Sequence, residues 1–218
     1  MNQKPVLVIF PHPDDESFGV AGSLIQWSNQ GIPITYLCLT LGEMGRNMGS
    51  PIFATRETLP DYRKKELQEA SRLAGIKDLR MMGYHDKTIE FEDKDALADV
   101  FIHVIHELNP QLVITFYPGY SVHPDHDACG AAVVRALEKL PSQDRPLLHC
   151  VGFSHNIVDD LGKPDVVRDV TDVIDQKLAV LAAHMSQTAP IIQEMKQNPS
   201  LQERFKTEEF WTYSFDEK

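Results

Sequence analysis

Cysteine is scarce in this 218-residue chain: Cys38, Cys129 and Cys150 stand far apart, odd in number and without a Cys-x-x-Cys spacing. That excludes a disulfide framework and a thiolate metal cluster, and leaves the three as small buried residues. Long apolar runs are missing as well. No stretch reaches the roughly 18 apolar residues of a membrane span, and Met1 to Pro5 lacks the basic-then-apolar order of a secretory leader. The expectation is a cytoplasmic protein with no membrane partner. Positive charge is in deficit, with 21 Lys and Arg against 32 Asp and Glu, a net charge of −11. Such a mean field repels polyphosphate, so no nucleic-acid partner is expected, and an anionic small molecule has to be held by local arginines. The first strand-to-helix turn also lacks Gly-x-Gly-x-x-Gly and carries acids where a dinucleotide's phosphates would sit.

What is present is ordinary globular composition, 42% hydrophobic and 24% charged, which sets disorder aside. The length fits one domain over residues 1–218, since about 100–200 residues per domain is the usual size. A core of that size needs neither metal nor disulfide merely to hold together.

Apolar runs at Val6–Phe10, Ile34–Leu41, Leu79–Met82, Leu112–Phe116, Leu147–Phe153 and Val166–Val170 read as strands. Between and after them, helical spacing covers Ser17–Gln30, Tyr62–Gly75, Asp95–Leu108, Ala128–Leu140, Asp172–Met185 and Pro190–Lys196. This alternation predicts an α/β fold: a Rossmann-like, mostly parallel sheet with helices on both faces, in a single domain. Ligands in such sheets sit outside the carboxyl ends of the strands, where the strand order switches. One connection is long and aperiodic. Residues 42–61 carry three glycines, two prolines, Arg46 and Arg56, begin at the end of the second strand, and are expected to form a substrate loop.

Two histidine tetrads follow strands one and four: His12-Pro13-Asp14-Asp15 and His123-Pro124-Asp125-His126. Each alone is also a respectable helix start, with proline in the first turn and carboxylates against the positive end of the helix dipole. Together they say more, because strands one and four are neighbours in the commonest doubly wound order. The proline holds each histidine extended, and a spacing of three residues lets one turn aim two side chains the same way. Catalytic zinc takes three protein ligands and leaves a fourth position for water. His12, Asp15 and His126 supply two imidazoles and a carboxylate. Asp14, adjacent to a ligand but free of the metal, is the candidate general base. His123 is available as proton donor or oxyanion partner, with Asp125 orienting an imidazole.

The string Pro11-His12-Pro13-Asp14-Asp15-Glu16 with His123-Pro124-Asp125-His126 resembles the zinc-dependent N-deacetylases of the PIG-L and LmbE-like type, which act on N-acetylglucosamine conjugates. Arg63-Lys64-Lys65-Glu66 and His184-Met185-Ser186-Gln187 support the resemblance, which spans nearly the whole chain. It implies one Zn2+ per chain on His12, Asp15 and His126, Asp14 as base, His123 in transition-state stabilisation or protonation, and Asp125 as orienting group. It also implies substrate contact through Arg63, a small-molecule amino-sugar substrate, and a homo-oligomer, trimer or hexamer. The favoured substrate is N-acetylglucosaminyl-malate of bacillithiol synthesis. Two departures stand out: Ala21-Gly22 replaces paired glycines, and Tyr120 lies one residue further from His123 than the active-site tyrosine of some relatives, so it is assigned a substrate contact rather than a catalytic one.

Secondary expectations concern His184 as a buttress, His85 and Asp86 near the strand ends, and Glu16 paired with an arginine or simply favouring the helix start. His103, His106, His149 and His155 read as structural. Another divalent metal would accept the same ligands. Three rival readings remain: a metal-dependent phosphoesterase, a non-catalytic nucleotide-binding module, and a purely structural metal site.

Overall fold

Five short segments, β1 (Val6–Phe10), β2 (Ile34–Cys38), β3 (Asp78–Met81), β4 (Leu112–Phe116) and β5 (Leu147–Val151), pair in parallel in the computed structural model, which describes residues 4–215. All residues of β1, β2 and β4 are buried, as expected of central strands covered on both faces. Two further strands, β6 (Val166–Asp169) and β7 (Thr207–Thr212), complete a seven-stranded sheet in the order β3-β2-β1-β4-β5-β7-β6. β7 runs antiparallel to both β5 and β6.

The helices are α1 (Asp15–Gly19), α2 (Ala21–Asn29), α3 (Leu59–Ala74), α4 (Lys94–Leu108), α5 (Pro124–Lys139), α6 (Ile157–Leu161), α7 (Ile174–Ala183) and α8 (Met185–Gln197). Alternate residues of β1 divide the core. Val6, Val8 and Phe10 pack with residues of α2, α3 and α7, while Leu7 and Ile9 pack with residues of α4 and α5. Helices therefore cover both faces, and the mostly parallel α/β domain is the observed architecture. Its strand order switches at β1 and β4, which are hydrogen-bonded neighbours, so both tetrads emerge side by side at the carboxyl edge. No described helix is long and apolar enough to cross a membrane, and all three cysteines are buried free thiols.

Three local expectations need correction. The helix expected over Ser17–Gln30 is two, broken at Val20 (φ −144°, ψ −1°). The break exposes a fresh helix start, and the buried carboxylate of Glu208 accepts from the Gly22 and Ser23 amides at 2.7 and 2.8 Å while pairing with Lys177 Nζ at 2.7 Å. The helix after β4 begins at Pro124, not Ala128, so His126 stands in its first turn. β7 adds a strand where the sequence shows no apolar alternation, because the buried Glu208 interrupts it.

Candidate active site

The first tetrad is a strained turn. Asp14 has φ 100°, a conformation that a residue with a Cβ rarely adopts and that costs on the order of 1–3 kcal/mol. Surrounding groups hold it there. His12 N donates to Asp15 Oδ2 at 2.8 Å, the Tyr36 hydroxyl donates to the His12 carbonyl at 3.1 Å, and Asp14 N donates to Glu16 Oε2 at 3.2 Å. The second tetrad is an ordinary helix start. His123 is extended at φ −138° and its Nδ1 accepts from Asp125 N at 3.2 Å, with Pro124 in the first turn.

The two turns bring three donors together. His12 Nδ1 lies 3.1 Å from His126 Nε2, and the Asp15 carboxylate lies 3.2 Å from His126 Nε2 and 3.6 Å from His12 Nδ1. The far nitrogens of both rings have acceptors. His126 Nδ1 sits 3.2 Å from the Ser121 carbonyl, and its ring stacks on Phe116 with centroids 4.0 Å apart. His12 Nε2 sits 3.1 Å from Asp86 Oδ1 and 3.3 Å from Asp125 Oδ2. Protons on those outer nitrogens leave two lone pairs and a carboxylate converging on one point, a donor set that fits a divalent cation.

Electrostatics agree. Burial disfavours a charged His12, but Asp125, Asp86 and Asp15 outweigh it and push the pKa up to about 10. Asp15 is held below the ordinary carboxylate range: burial opposes this, and the His126 and His12 rings overcome it. The pocket thus carries a surplus of negative charge at the point where the donors meet, which a divalent cation would offset in place of protons. Two further sets, neither containing Asp15, have one donor atom per residue all within 4.8 Å of one another: His12 with His123 and His126, and His12 with Asp86 and Asp125. The carboxylates of the latter are already engaged. Asp125 accepts from Lys87 N at 2.7 Å and Ile89 N at 3.2 Å, and Asp86 from Met44 N at 2.8 Å, which suits them to orient His12.

Asp14 is placed differently from its neighbour. Its carboxylate sits 3.2 Å from Arg63 Nη2, and burial followed by Asp15 and Glu16 pushes its pKa up to about 6 against the pull of Arg63 and His184. Arg63, buried at 4% exposure, also donates to the Gly42 carbonyl at 2.8 Å and to the Pro13 carbonyl. A Cβ on Gly42, at φ 60°, would collide with that guanidinium. Arg63 thus stands in the cavity wall with Nη1 and Nη2 bound to two backbone carbonyls and to Asp14, while its buried Nε has no hydrogen-bond partner among the described residues. Behind the turn, Glu16 pairs with His184 rather than an arginine, at 2.6 Å and with both side chains fully buried. Glu66 Oε1 and Oε2 accept from Ser186 N and Oγ, both at 2.7 Å, so the two supporting strings of the sequence meet under the site.

A cavity of about 670 Å³ opens over these groups, lined by His12, Asp14, Asp15, Arg63, His123 and His126 together with Asp86, Lys87, Phe153, Gln187 and Met44 to Arg46 of the long loop. Asp125 lies beneath it, fully buried. His123 has its pKa lowered, first by burial and then by the neighbouring His12 and His126. Tyr120 does not line the cavity. It interacts with Asp160, whose charge, after desolvation, helps raise the tyrosine's pKa, so its expected substrate contact is not supported by its position. His85 is exposed and lies 3.3 Å from Glu43. Of the pair expected near the end of the third strand, Asp86 reaches the site, against His12 Nε2 and in the cavity wall, while His85 points to solvent.

Residues 7–137, more than half the chain, match the family model described as PIG-L: GlcNAc-PI de-N-acetylase. The chain is 48% identical over 219 residues to the probable N-acetyl-alpha-D-glucosaminyl L-malate deacetylase 2 of Bacillus cereus, covering 98% of this chain and 100% of that relative. Its counterpart in Bacillus subtilis is 49% identical over 217 residues, covering 97% and 98%. Among solved structures, N,N'-diacetylchitobiose deacetylase from Pyrococcus horikoshii matches with a TM-score of 0.75 and 26% identity over 96% of this chain and 84% of that one. A 4-carboxy-2-hydroxymuconate hydratase matches with a TM-score of 0.69 at 17% identity, which shows shared fold alone. The relatives set aside the phosphoesterase and nucleotide-module readings: the chain belongs to the PIG-L family and is a deacetylase, a hydrolytic enzyme acting on N-acetyl groups.

Proposed function

We propose that the enzyme removes the acetyl group from N-acetylglucosaminyl-malate, with one zinc ion held by His12 Nδ1, the Asp15 carboxylate and His126 Nε2. The observation that carries the chemistry is the meeting of two imidazole nitrogens 3.1 Å apart with a carboxylate, beside an aspartate tied to Arg63 instead. The near-half identity to malate conjugate deacetylases over almost the full length supports the substrate. A cytoplasmic setting fits the three free thiols.

Bound zinc supplies positive charge that acidifies water and polarises the acetyl carbonyl. Asp14 accepts the water proton on its carboxylate, whose raised pKa of about 6 suits a base working near neutrality. The salt bridge to Arg63 and the strained backbone fix that carboxylate over the cavity. His123 accepts from Asp125 N at Nδ1, which leaves Nε2 protonated. Its lowered pKa keeps the ring neutral, so Nε2–H donates a hydrogen bond to the developing oxyanion rather than transferring its proton. As the C–N bond breaks, Asp14 returns its proton to the departing amine and acetate is released. Asp125 and Asp86 hold the His12 ring by its Nε2 proton. Residues 42–61 contribute Met44, Gly45 and Arg46 to the substrate side of the cavity.

The test incubates metal-loaded protein with N-acetylglucosaminyl-malate, N,N'-diacetylchitobiose and methyl N-acetylglucosaminide, and measures free amine. The malate conjugate is expected to react with the highest kcat/KM. Release from none of the three contradicts the proposal.

A further inference from the structure

The three arginines in and after the long loop divide by what their guanidinium groups touch. Arg63 is engaged with Asp14, Pro13 and Gly42. Arg56 Nη1 donates to the Glu43 and Gly45 carbonyls, each at 2.8 Å, and so serves the loop itself. Arg46 lines the cavity, and among the described residues its guanidinium has no hydrogen-bond or ion-pair partner.

The backbone that carries Arg46 is nevertheless pinned on both sides. Gly45 N donates to the Gly42 carbonyl at 2.9 Å, Met44 N to Asp86 Oδ2 at 2.8 Å, and Gly49 N to the Ser186 carbonyl at 3.1 Å. Asn47 and Gln187 exchange two side-chain to backbone hydrogen bonds, at 3.1 and 2.9 Å. A fixed backbone presenting an unpaired side chain into a cavity is a preorganised grip, because the ordering cost of the loop is met before a ligand arrives. Lys87 stands on the adjoining segment. It lines the same cavity, its ammonium has no partner among the described residues, and its backbone, at φ 65°, is held by Asp125. Glu43 ties the two segments together, accepting from Asp86 N at 2.9 Å.

In a chain of net charge −11, two unpaired cations at one cavity select for an anion. We propose that Arg46 and Lys87 bind the carboxylates of the substrate's aglycone, making this pair the determinant of preference for a dicarboxylate such as malate over an uncharged glycoside. Arg46 offers a planar fork matched to one carboxylate, and Lys87 a point charge for the second. This inference rests on the proposed deacetylation and adds to it the residues that read the part of the substrate away from the amide.

The experiment compares wild type with Arg46→Gln, Lys87→Gln and the double variant on N-acetylglucosaminyl-malate and on methyl N-acetylglucosaminide. The readout is the ratio of the two kcat/KM values. That ratio is expected to fall about tenfold for Arg46→Gln and further in the double variant, through KM on the malate conjugate, as suits loss of charge-assisted contacts. Calorimetric titration with the product, glucosaminyl-malate, is expected to give the same ranking of affinities without turnover. Equal losses on both substrates, or unchanged product affinity in the double variant, overturn the inference while leaving the deacetylase reading intact. A wild-type enzyme that releases amine from neither substrate overturns the underlying reading and this inference with it. Circular dichroism of each variant identifies any loss due to misfolding, and Arg46→Lys then supplies a conservative substitution expected to retain part of the preference.

Discussion

The two histidine tetrads share the order His-Pro-Asp and meet at one point, yet their third residues lead opposite lives. In the first, Asp14 sits at φ 100° with its carboxylate toward Arg63 and the cavity. In the second, Asp125 is fully buried in a regular helix start, where it accepts from Lys87 N and Ile89 N and faces His12 Nε2. In the proposed mechanism the same residue type serves as a proton carrier in one turn and an orienting group in the other. Backbone conformation makes the difference, and the left-handed turn at Asp14 depends on the supporting groups beneath it: Tyr36 on the His12 carbonyl, Glu16 on the Asp14 amide, and His184 on Glu16.

Removing the shared centre should abolish that distinction most completely. Asp15→Ala is expected to lose the metal, measured as metal per chain after dialysis, and to bring acetate release to background, as is treatment with a strong chelator. Full activity in a metal-free variant would refute the shared centre. Asp125→Asn weakens its hold on the His12 ring without removing a ligand. A fall of about 10–100-fold in metal affinity is expected, read by competition with a chromogenic chelator. An unchanged affinity would mean that Asp86 orients His12 unaided.

The support beneath the first turn is tested by His184→Ala, which leaves Glu16 buried without its ionic partner. Chemical denaturation should show a loss of about 3–5 kcal/mol. A much smaller loss, with unchanged acetate release, would show that the turn stands without this pair. The smallest effect is expected from Tyr120→Phe, which lies outside the cavity: kcat/KM should stay within about twofold of wild type. A larger fall would bring the tyrosine back into the site.

Much of this arrangement was legible beforehand because it depends on short-range pattern. An apolar run followed by His-Pro-Asp names both a strand end and a helix start, and two such strings on adjacent strands name a metal site. The sheet's central strands were equally plain, being buried on both faces. What escaped notice depends on partners distant in sequence. Arg63 reads as a free guanidinium until the fold places Asp14 and the Gly42 carbonyl against it. β7 carries a buried glutamate that makes sense only beside Lys177 and the start of α2. Asp86 falls near the strand ends by its position after the third strand, but its partner, His12, is 74 positions earlier in the numbering and only the fold pairs them.

The most direct test of the account is acetate release from N-acetylglucosaminyl-malate by Asp14→Asn, with bound zinc measured in the same sample. Retention of one zinc per chain with a loss of about a thousandfold in kcat is the predicted result, since the metal set stays whole and only the proton carrier goes. Wild-type turnover by the zinc-loaded variant would contradict it.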